Sequence, residues 1–91
     1  MSCVMEDVRS RKVLVTFGVR VREVRLARGL SQENLAEIAG LHRTYIGTVE
    51  RGERNPALVN LVRIADALSV DLSALTSGLS LSPANRREAR K

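Results

Sequence analysis

The sequence predicts an all-α fold, with five helices in one small domain. Between residues 14 and 76, most segments place apolar residues three or four positions apart, which is the spacing of one face of an α-helix. No segment shows the sustained alternation of apolar and polar residues that a half-buried strand requires. Ser and Gly residues separate the periodic segments at positions where helices commonly begin and end.

The first two helices are predicted from apolar periodicity and a cap. The apolar residues of the first helix share one face and are Leu14, Phe17, Val21 and Val24. Gly29 ends this helix. Ser31 follows, and its hydroxyl can accept a hydrogen bond from an unpaired amide at the start of a second helix over QENLAEIA. On that helix we expect three apolar residues to face inward, namely Leu35, Ile38 and Ala39.

Three further helices complete the predicted domain. Gly40 can take a left-handed turn at no steric cost, so a third helix begins near residue 42 or 43 and runs to about Arg51. The loop GERNPA separates it from a fourth helix over LVNLVRIADAL. Asp71 is placed to cap a short fifth helix over LSALTSG, which Gly78 ends.

Composition narrows the functional classes. A chain of 91 residues supports one domain with a thin core, the size at which dimer formation often supplies missing burial. The single cysteine, Cys3, and the single histidine, His42, provide neither a disulfide framework nor a metal-ligand cluster. The sequence also contains no nucleophilic side chain paired with a general base, and no phosphate-binding glycine loop. We therefore predict no enzymatic activity, no metal and no cofactor.

The net charge of +5 lies mostly at the two ends of the chain. Residues 13–79 and residues 1–12 each carry a net charge of +1, and residues 80–91 carry +3. The tail SPANRREARK is either a solvated segment or a contact for DNA phosphates, so net charge alone does not establish nucleic-acid binding. No apolar run reaches the roughly 18 residues that span a bilayer, and the N-terminal residues lack the features of a signal peptide. We therefore expect a cytoplasmic protein that makes no membrane contact.

The spacing between residues 32 and 50 meets the packing requirements of a helix-turn-helix. Small Ala36 lets two helices approach, Gly40 makes the turn, and apolar side chains fill the angle between the helices at Leu41, Ile46 and Val49. The stretch LSQENLAEIAGLHRTYIGTVERGERNPALVNLVRIADALSV resembles the lambda-repressor-like, XRE-type transcription regulators. Within that group, HRTYIGTVERGERNP is similar to the controller proteins of bacterial restriction-modification systems. We therefore predict a flexible extension over residues 1–12, a DNA-binding and dimerisation domain over 13–79, and a basic tail over 80–91.

The third helix is the predicted DNA-reading element. With Ile46 and Val49 directed at the core, its opposite face carries Thr44, Gly47, Thr48 and Arg51, and Arg43 projects from its start. An Arg can bind guanine with two hydrogen bonds in the major groove, and a Thr can contact a base edge. Together with positions that the resemblance implies, the predicted DNA-binding residues are Gln32, Arg43, Thr44, Tyr45, Thr48, Arg51, Arg54 and Asn55.

Three positions leave alternatives open, and two of them are in this list. Gln32 either contacts a phosphate or braces the third helix, and Tyr45 either packs against the core edge or contacts DNA. Gly47 in mid-helix indicates close approach either to DNA or to another helix. The resemblance also implies a structural ion pair between Arg25 and Glu50.

The C-terminal leucines predict a dimer interface. They are more numerous than a short fifth helix needs for its own core, and they are Leu72, Leu75, Leu79 and Leu81. The alternative is that Leu72 and Leu75 pack on their own chain. A two-fold contact here would place two Arg43 ends about 34 Å apart, so the expected partner is a double-stranded operator that is an approximate inverted repeat.

The resemblance implies a homodimeric transcription regulator without catalytic activity. Such a protein acts by occupancy, because it blocks RNA polymerase at one promoter position or recruits it at another. As a controller protein it would regulate its own gene and a neighbouring endonuclease gene. Two alternatives remain at this stage: a phage, plasmid or antitoxin-type repressor, and a protein-interaction module that does not bind DNA.

Overall fold

Residues 8–81 are described by the computed structural model, and they form helices and connecting turns without any strand. The five helices are α1 (Val8–Ala27), α2 (Gln32–Ala39), α3 (Arg43–Glu50), α4 (Leu58–Ala67) and α5 (Leu72–Thr76). The predicted all-α, five-helix fold is confirmed. Within this part of the chain, no helix combines the length and apolarity needed to cross a bilayer.

The core collects apolar side chains from every helix. Packing pairs α1 with α3 and α5, α2 with α3 and α4, and α4 with α5. Because each helix contacts at least one other along an apolar face, burial rather than intrinsic propensity stabilises helices as short as eight residues. The largest fully buried side chains are Val21, Leu35, Ile46, Val49, Ile64, Leu68 and Leu75.

The turn between α2 and α3 is specified by local chemistry at both ends of α2. Ser31 Oγ accepts a hydrogen bond from the Asn34 amide at 2.9 Å, and Asn34 Oδ1 accepts one from the Ser31 amide at 3.3 Å. This reciprocal capping box fixes where α2 begins. At the other end, Gly40 has a φ of 73°, and the amide of Leu41 donates to the carbonyl oxygen of Ala36 at 2.8 Å. The predicted cap and turn are both present.

Gly18 allows α1 to cross the end of α3 at backbone contact. A Cβ atom at Gly18 would overlap the carbonyl oxygens of Val49 and Glu50. Only a residue without a side chain fits this crossing, so α1 acts as a rigid support for the C-terminal end of α3.

The helix α1 begins at Val8, so residues 8–12 of the predicted N-terminal extension are helical. Ser10 and Val13 line a surface groove with Leu79 and Leu81. Residues 1–7 and 82–91 lie outside the described residues, and with them most of the predicted basic tail.

Two local predictions also need correction. Ile38 is 59% exposed and does not face inward. α2 packs against both α3 and α4, and its buried face consists of Leu35, Ala36 and Ala39. Asp71 precedes α5 as predicted, but its side chain makes no capping hydrogen bond. The amide of Ala74 instead donates to the backbone carbonyl of Asp71 at 2.9 Å.

Candidate nucleic-acid interface

A buried ion pair holds the C-terminal end of α3. Arg25 Nε donates to Glu50 Oε2 at 2.6 Å, and Arg25 Nη2 donates to Glu50 Oε1 at 3.0 Å. Only 7% of Arg25 and 9% of Glu50 is exposed. Arg25 Nη1 also donates to the carbonyl oxygen of Leu30 at 2.9 Å. The two residues for which the resemblance implied an ion pair therefore form a bidentate contact between α1 and α3.

Gln32 joins the same carboxylate from the start of α2. Its Nε2 donates to Glu50 Oε1 at 3.0 Å, so Gln32 braces α3 in this structure. Glu50 thereby links α1, α2 and α3 at one point. All three helices are consequently held in a defined relative orientation, which a surface that reads DNA requires.

Gly47 lies beneath side chains rather than on the exposed face. It is buried, and a Cβ atom there would lie 3.3 Å from Arg51 Nη1 and 3.6 Å from Gln32 Oε1. The prediction that Gly47 belongs to the exposed face was therefore wrong. The absent side chain instead leaves room for Gln32 and Arg51 to cross the middle of α3.

The N-terminal end of α3 presents free polar groups. Arg43 and Thr44 are exposed, and no described residue pairs with either side chain. His42 precedes them as the N-cap residue without a side-chain capping bond. Thr48, one turn further, is half-buried, and its hydroxyl donates to the Tyr45 carbonyl oxygen at 2.7 Å. The hydroxyl hydrogen of Thr48 is therefore already used. Its methyl group and the lone pairs of its hydroxyl oxygen are available for an external contact.

Tyr45 is fixed from two sides on the flank of α3. Asn60 Nδ2, on α4, donates to Tyr45 Oη at 3.1 Å. The guanidinium carbon of Arg54 lies 5.2 Å from the centroid of the Tyr45 ring, within the range of a cation–π contact. The half-buried ring thus contributes to packing at the flank of α3.

The loop after α3 carries the remaining predicted residues. Arg51 Nε lies 3.2 Å from Glu53 Oε1, and both side chains are more than half exposed. Such a surface pair contributes little to stability, so Arg51 can exchange this partner for a phosphate. Arg54 and Asn55 follow and are exposed. Asn55 also borders the groove formed by α1 and the C-terminal leucines.

These side chains belong to α3, to the start of α2 and to the loop after α3, and together they are the candidate DNA-binding surface. Gln32 reaches its middle from α2, Arg54 covers Tyr45 from the loop, and Arg43 extends from its start. The surface carries more cationic than acidic groups, as contact with a polyanion requires. Among residues 8–81, no group of three or more His, Cys, Asp or Glu side chains is arranged to hold a metal ion.

The four leucines predicted at a dimer interface differ in how deeply they are buried. Leu75 is completely buried in its own chain, so its side chain cannot contact a partner and that prediction was wrong. It anchors α5 to the core, which is the alternative left open above. Leu72 and Leu79 are half-buried against the core, and Leu81 is 53% exposed.

Asn60 was missed by the sequence analysis. It lies in the first half of α4 and contacts Tyr45, which precedes it by 15 residues. A helical periodicity argument treats Asn60 as an ordinary polar position, because its partner belongs to a different helix. Only the packing of α4 beside α3 reveals the contact.

The fold and this surface define a class of protein. Two short helices joined by a glycine turn, the second with an exposed polar and cationic face, constitute a helix-turn-helix. The Helix-turn-helix family HTH_3 matches residues 21–75 of the chain, and the chain belongs to that family.

Known proteins with similar sequences include control proteins and a phage immunity repressor. Control protein C.SmaI of Serratia marcescens is 56% identical over 55 residues, which cover 60% of this chain and 66% of that protein. The immunity repressor protein of Bacillus phage phi105 is 41% identical over 61 residues, covering 67% of this chain but 42% of the repressor. The crystal structure of the restriction-modification controller protein C.AhdI from Aeromonas hydrophila matches with a TM-score of 0.67 and 55% identity, covering 68% of this chain and 94% of that chain.

Proposed function

We propose that the protein is a sequence-specific transcription regulator that binds double-stranded DNA as a homodimer. The observation that carries this proposal is the arrangement of α3. Its C-terminal end is anchored by the buried Arg25 and Glu50 pair, while Arg43 and Thr44 at its other end are exposed and unpaired. Unpaired polar groups on a rigid helix are suited to base readout, because little ordering is required on binding.

In the proposed complex, α3 enters the major groove. A helix of about 10 to 12 Å diameter fits this groove, where Arg43 would bind guanine and Thr44 would contact a neighbouring base. Tyr45 and Thr48 would complete the contacts of α3. Phosphates would be contacted by Gln32, Arg51, Arg54 and Asn55. Base contacts would therefore determine sequence preference, and the surrounding cationic and amide groups would determine register.

The proposed dimer uses the segment that follows α5. Leu79 and Leu81 border a largely apolar groove with Val13 and Leu14 of α1. Leu72, which precedes them in the sequence, is half-buried. A small domain with a thin core gains stability when a second copy covers such a surface. Two-fold symmetry would then present two α3 helices to half-sites centred about 10 base pairs apart.

The similarity to controller proteins supports a more specific role. We infer that the chain is the controller of a restriction-modification system, which regulates its own gene and the endonuclease gene from the cytoplasm. RNA polymerase would be the further partner, recruited or excluded according to the position of the operator. No catalytic step is part of this proposal.

Selection of bound fragments from random DNA tests the proposal directly. Purified wild-type protein should enrich an approximate inverted repeat, and footprinting should show protection of both half-sites. Sedimentation at micromolar concentration should show a dimer, and Leu81→Ser should shift it towards monomer, whereas the exposed Ile38→Ser control should not. A stable monomer that protects one half-site would overturn the dimer model. Failure to enrich any sequence would instead favour a protein-interaction module.

A second candidate is a phage, plasmid or antitoxin-type repressor. The observation that favours it is the 41% identity to the phi105 immunity repressor. The two candidates share the DNA-binding mechanism and differ in the genes that they regulate. Mapping the enriched operator onto the genome distinguishes them, because a controller's operator lies upstream of a gene pair for an endonuclease and its own chain.

A further inference from the structure

We propose that Asn60 is a positioning residue of the DNA interface, which leaves the hydroxyl hydrogen of Tyr45 directed at a hydrogen-bond acceptor on the operator. This inference rests on the proposed DNA-binding function. Asn60 lies on α4, outside the helix-turn-helix, and acts through Tyr45 rather than by touching DNA itself.

The polarity of one hydrogen bond carries the argument. A phenolic hydroxyl has one hydrogen to donate and lone pairs that accept. Asn60 Nδ2 is the donor in the 3.1 Å contact with Tyr45 Oη, so the phenolic oxygen is the acceptor. The hydrogen of Tyr45 is therefore not used in this bond, and it remains available to an acceptor outside the protein.

A free donor at this position matches the chemistry of DNA. Phosphate oxygens accept hydrogen bonds, and in the major groove so do N7 and O6 of guanine, N7 of adenine and O4 of thymine. A shallow surface depression is lined by Gly40, Leu41, His42, Tyr45 and Asn60, and so includes both partners of this hydrogen bond. This depression lies at the turn before α3, at the same end of the helix as Arg43. The depression thus adjoins the end of α3 that would read bases in the proposed complex.

Arg54 restrains the same ring from the loop side. Its guanidinium lies 5.2 Å from the ring centroid, so rotation of Tyr45 would disturb both this contact and the bond to Asn60. Two independent contacts therefore hold the ring in one orientation before DNA arrives. Removal of Asn60 frees the hydroxyl to rotate, and the ordering then has to occur on binding.

A double-mutant cycle tests this mechanism. Affinities of the wild type, Asn60→Ala, Tyr45→Phe and the double variant are measured for the selected operator at fixed salt. Each single variant should bind the operator roughly 3- to 10-fold more weakly than the wild type. The double variant should bind no more weakly than whichever single variant has the lower affinity, because both changes remove the same contact. Asp66→Ala on the same helix is the matched control, with an expected change below about twofold. Thermal melts verify that every variant is folded.

Reversal of the bond polarity separates positioning from a structural role. In Asn60→Asp the carboxylate only accepts, so it takes the Tyr45 hydrogen away from the DNA. Its added negative charge weakens binding equally in both backgrounds. The loss caused by Asn60→Asp should therefore be larger in the wild-type background than in the Tyr45→Phe background. A structural role of Asn60 predicts equal losses.

The outcomes distinguish this inference from the proposed function. If the wild type enriches no DNA sequence, the regulator assignment fails and this inference fails with it. If the wild type binds its operator but the losses of Asn60→Ala and Tyr45→Phe multiply, Asn60 does not act through Tyr45. A variant pair with unchanged affinity would likewise overturn the inference, while the proposed function would stand.

Discussion

Replacement of Glu50 by Ala should destabilise the protein far more than an ordinary surface substitution. Glu50 accepts two hydrogen bonds from Arg25 and one from Gln32. In Glu50→Ala the guanidinium of Arg25 stays buried and retains the Leu30 carbonyl oxygen as its remaining acceptor among the described residues. An uncompensated buried charge of this kind costs about 3 to 5 kcal/mol of folding free energy. For a domain of this size that loss lowers the melting temperature by at least about 12 °C.

Thermal melts followed by circular dichroism measure the effect. Protein concentration has to be equal for all variants, because the stability of a dimer depends on it. Glu37→Ala is the matched control, since Glu37 is an exposed acidic residue on α2 and its loss should change stability by less than about 0.5 kcal/mol. Equal melting temperatures for Glu50→Ala and Glu37→Ala would refute the structural role of the ion pair.

A double replacement tests the reason for the loss. In Arg25→Met combined with Glu50→Leu, no charge remains buried and the volume is largely preserved. Replacement of a buried pair by apolar residues is often neutral or stabilising, so the double variant should recover most of the stability lost in Glu50→Ala. If it remained as unstable as the single variant, the loss would come from packing and not from the unpaired Arg25.

Three further substitutions have defined outcomes. Arg43→Ala should weaken operator binding by roughly 1 to 3 kcal/mol and relax preference at one base pair, measured against single-base operator variants at fixed salt; unchanged discrimination would remove Arg43 from base readout. Gln32→Ala should weaken binding evenly across sequences and also destabilise the fold by about 1 kcal/mol, because Glu50 loses a donor. Gly18→Ala should destabilise the fold by about 1 to 3 kcal/mol in urea unfolding, because the added methyl group overlaps the end of α3. Helix propensity alone predicts the opposite, a gain in stability. Val19→Ala on the same helix is the control and should have a small effect.

The parts of the fold that depend on local chemistry were predictable. Ser31 and Gly40 act within a few residues of their own position, so the cap and the turn of the helix-turn-helix could be inferred directly from the sequence. Apolar periodicity located the main part of α1, α2 and α4 for the same reason. Arg43 and Thr44 could be placed on an exposed helix start because Ile46 and Val49 determine which face is buried.

The remaining features depend on packing between distant segments. The first turns of α1 lie outside the main core, and Val13 there lines a groove with Leu79 and Leu81, which are distant in the sequence. Ile38 is exposed because α2 packs against two helices, which rotates its buried face. Leu75 and Leu81 are the same residue type, yet Leu75 is fully buried and Leu81 is about half exposed. The bond between Asn60 and Tyr45 likewise requires the position of α4.

The two contacts that restrain α3 have different consequences for recognition. Glu50 is anchored at one end of the helix, and Arg43 lies about 10 Å away at the other end. A tilt of about 10° at the anchored end would displace Arg43 by roughly 2 Å, enough to break a hydrogen bond to a base edge. Loss of the Arg25 and Glu50 pair should therefore reduce both stability and sequence discrimination. Asn60 restrains Tyr45 near the reading end and makes no contact with the buried pair, so its loss should reduce affinity for the operator with little effect on stability.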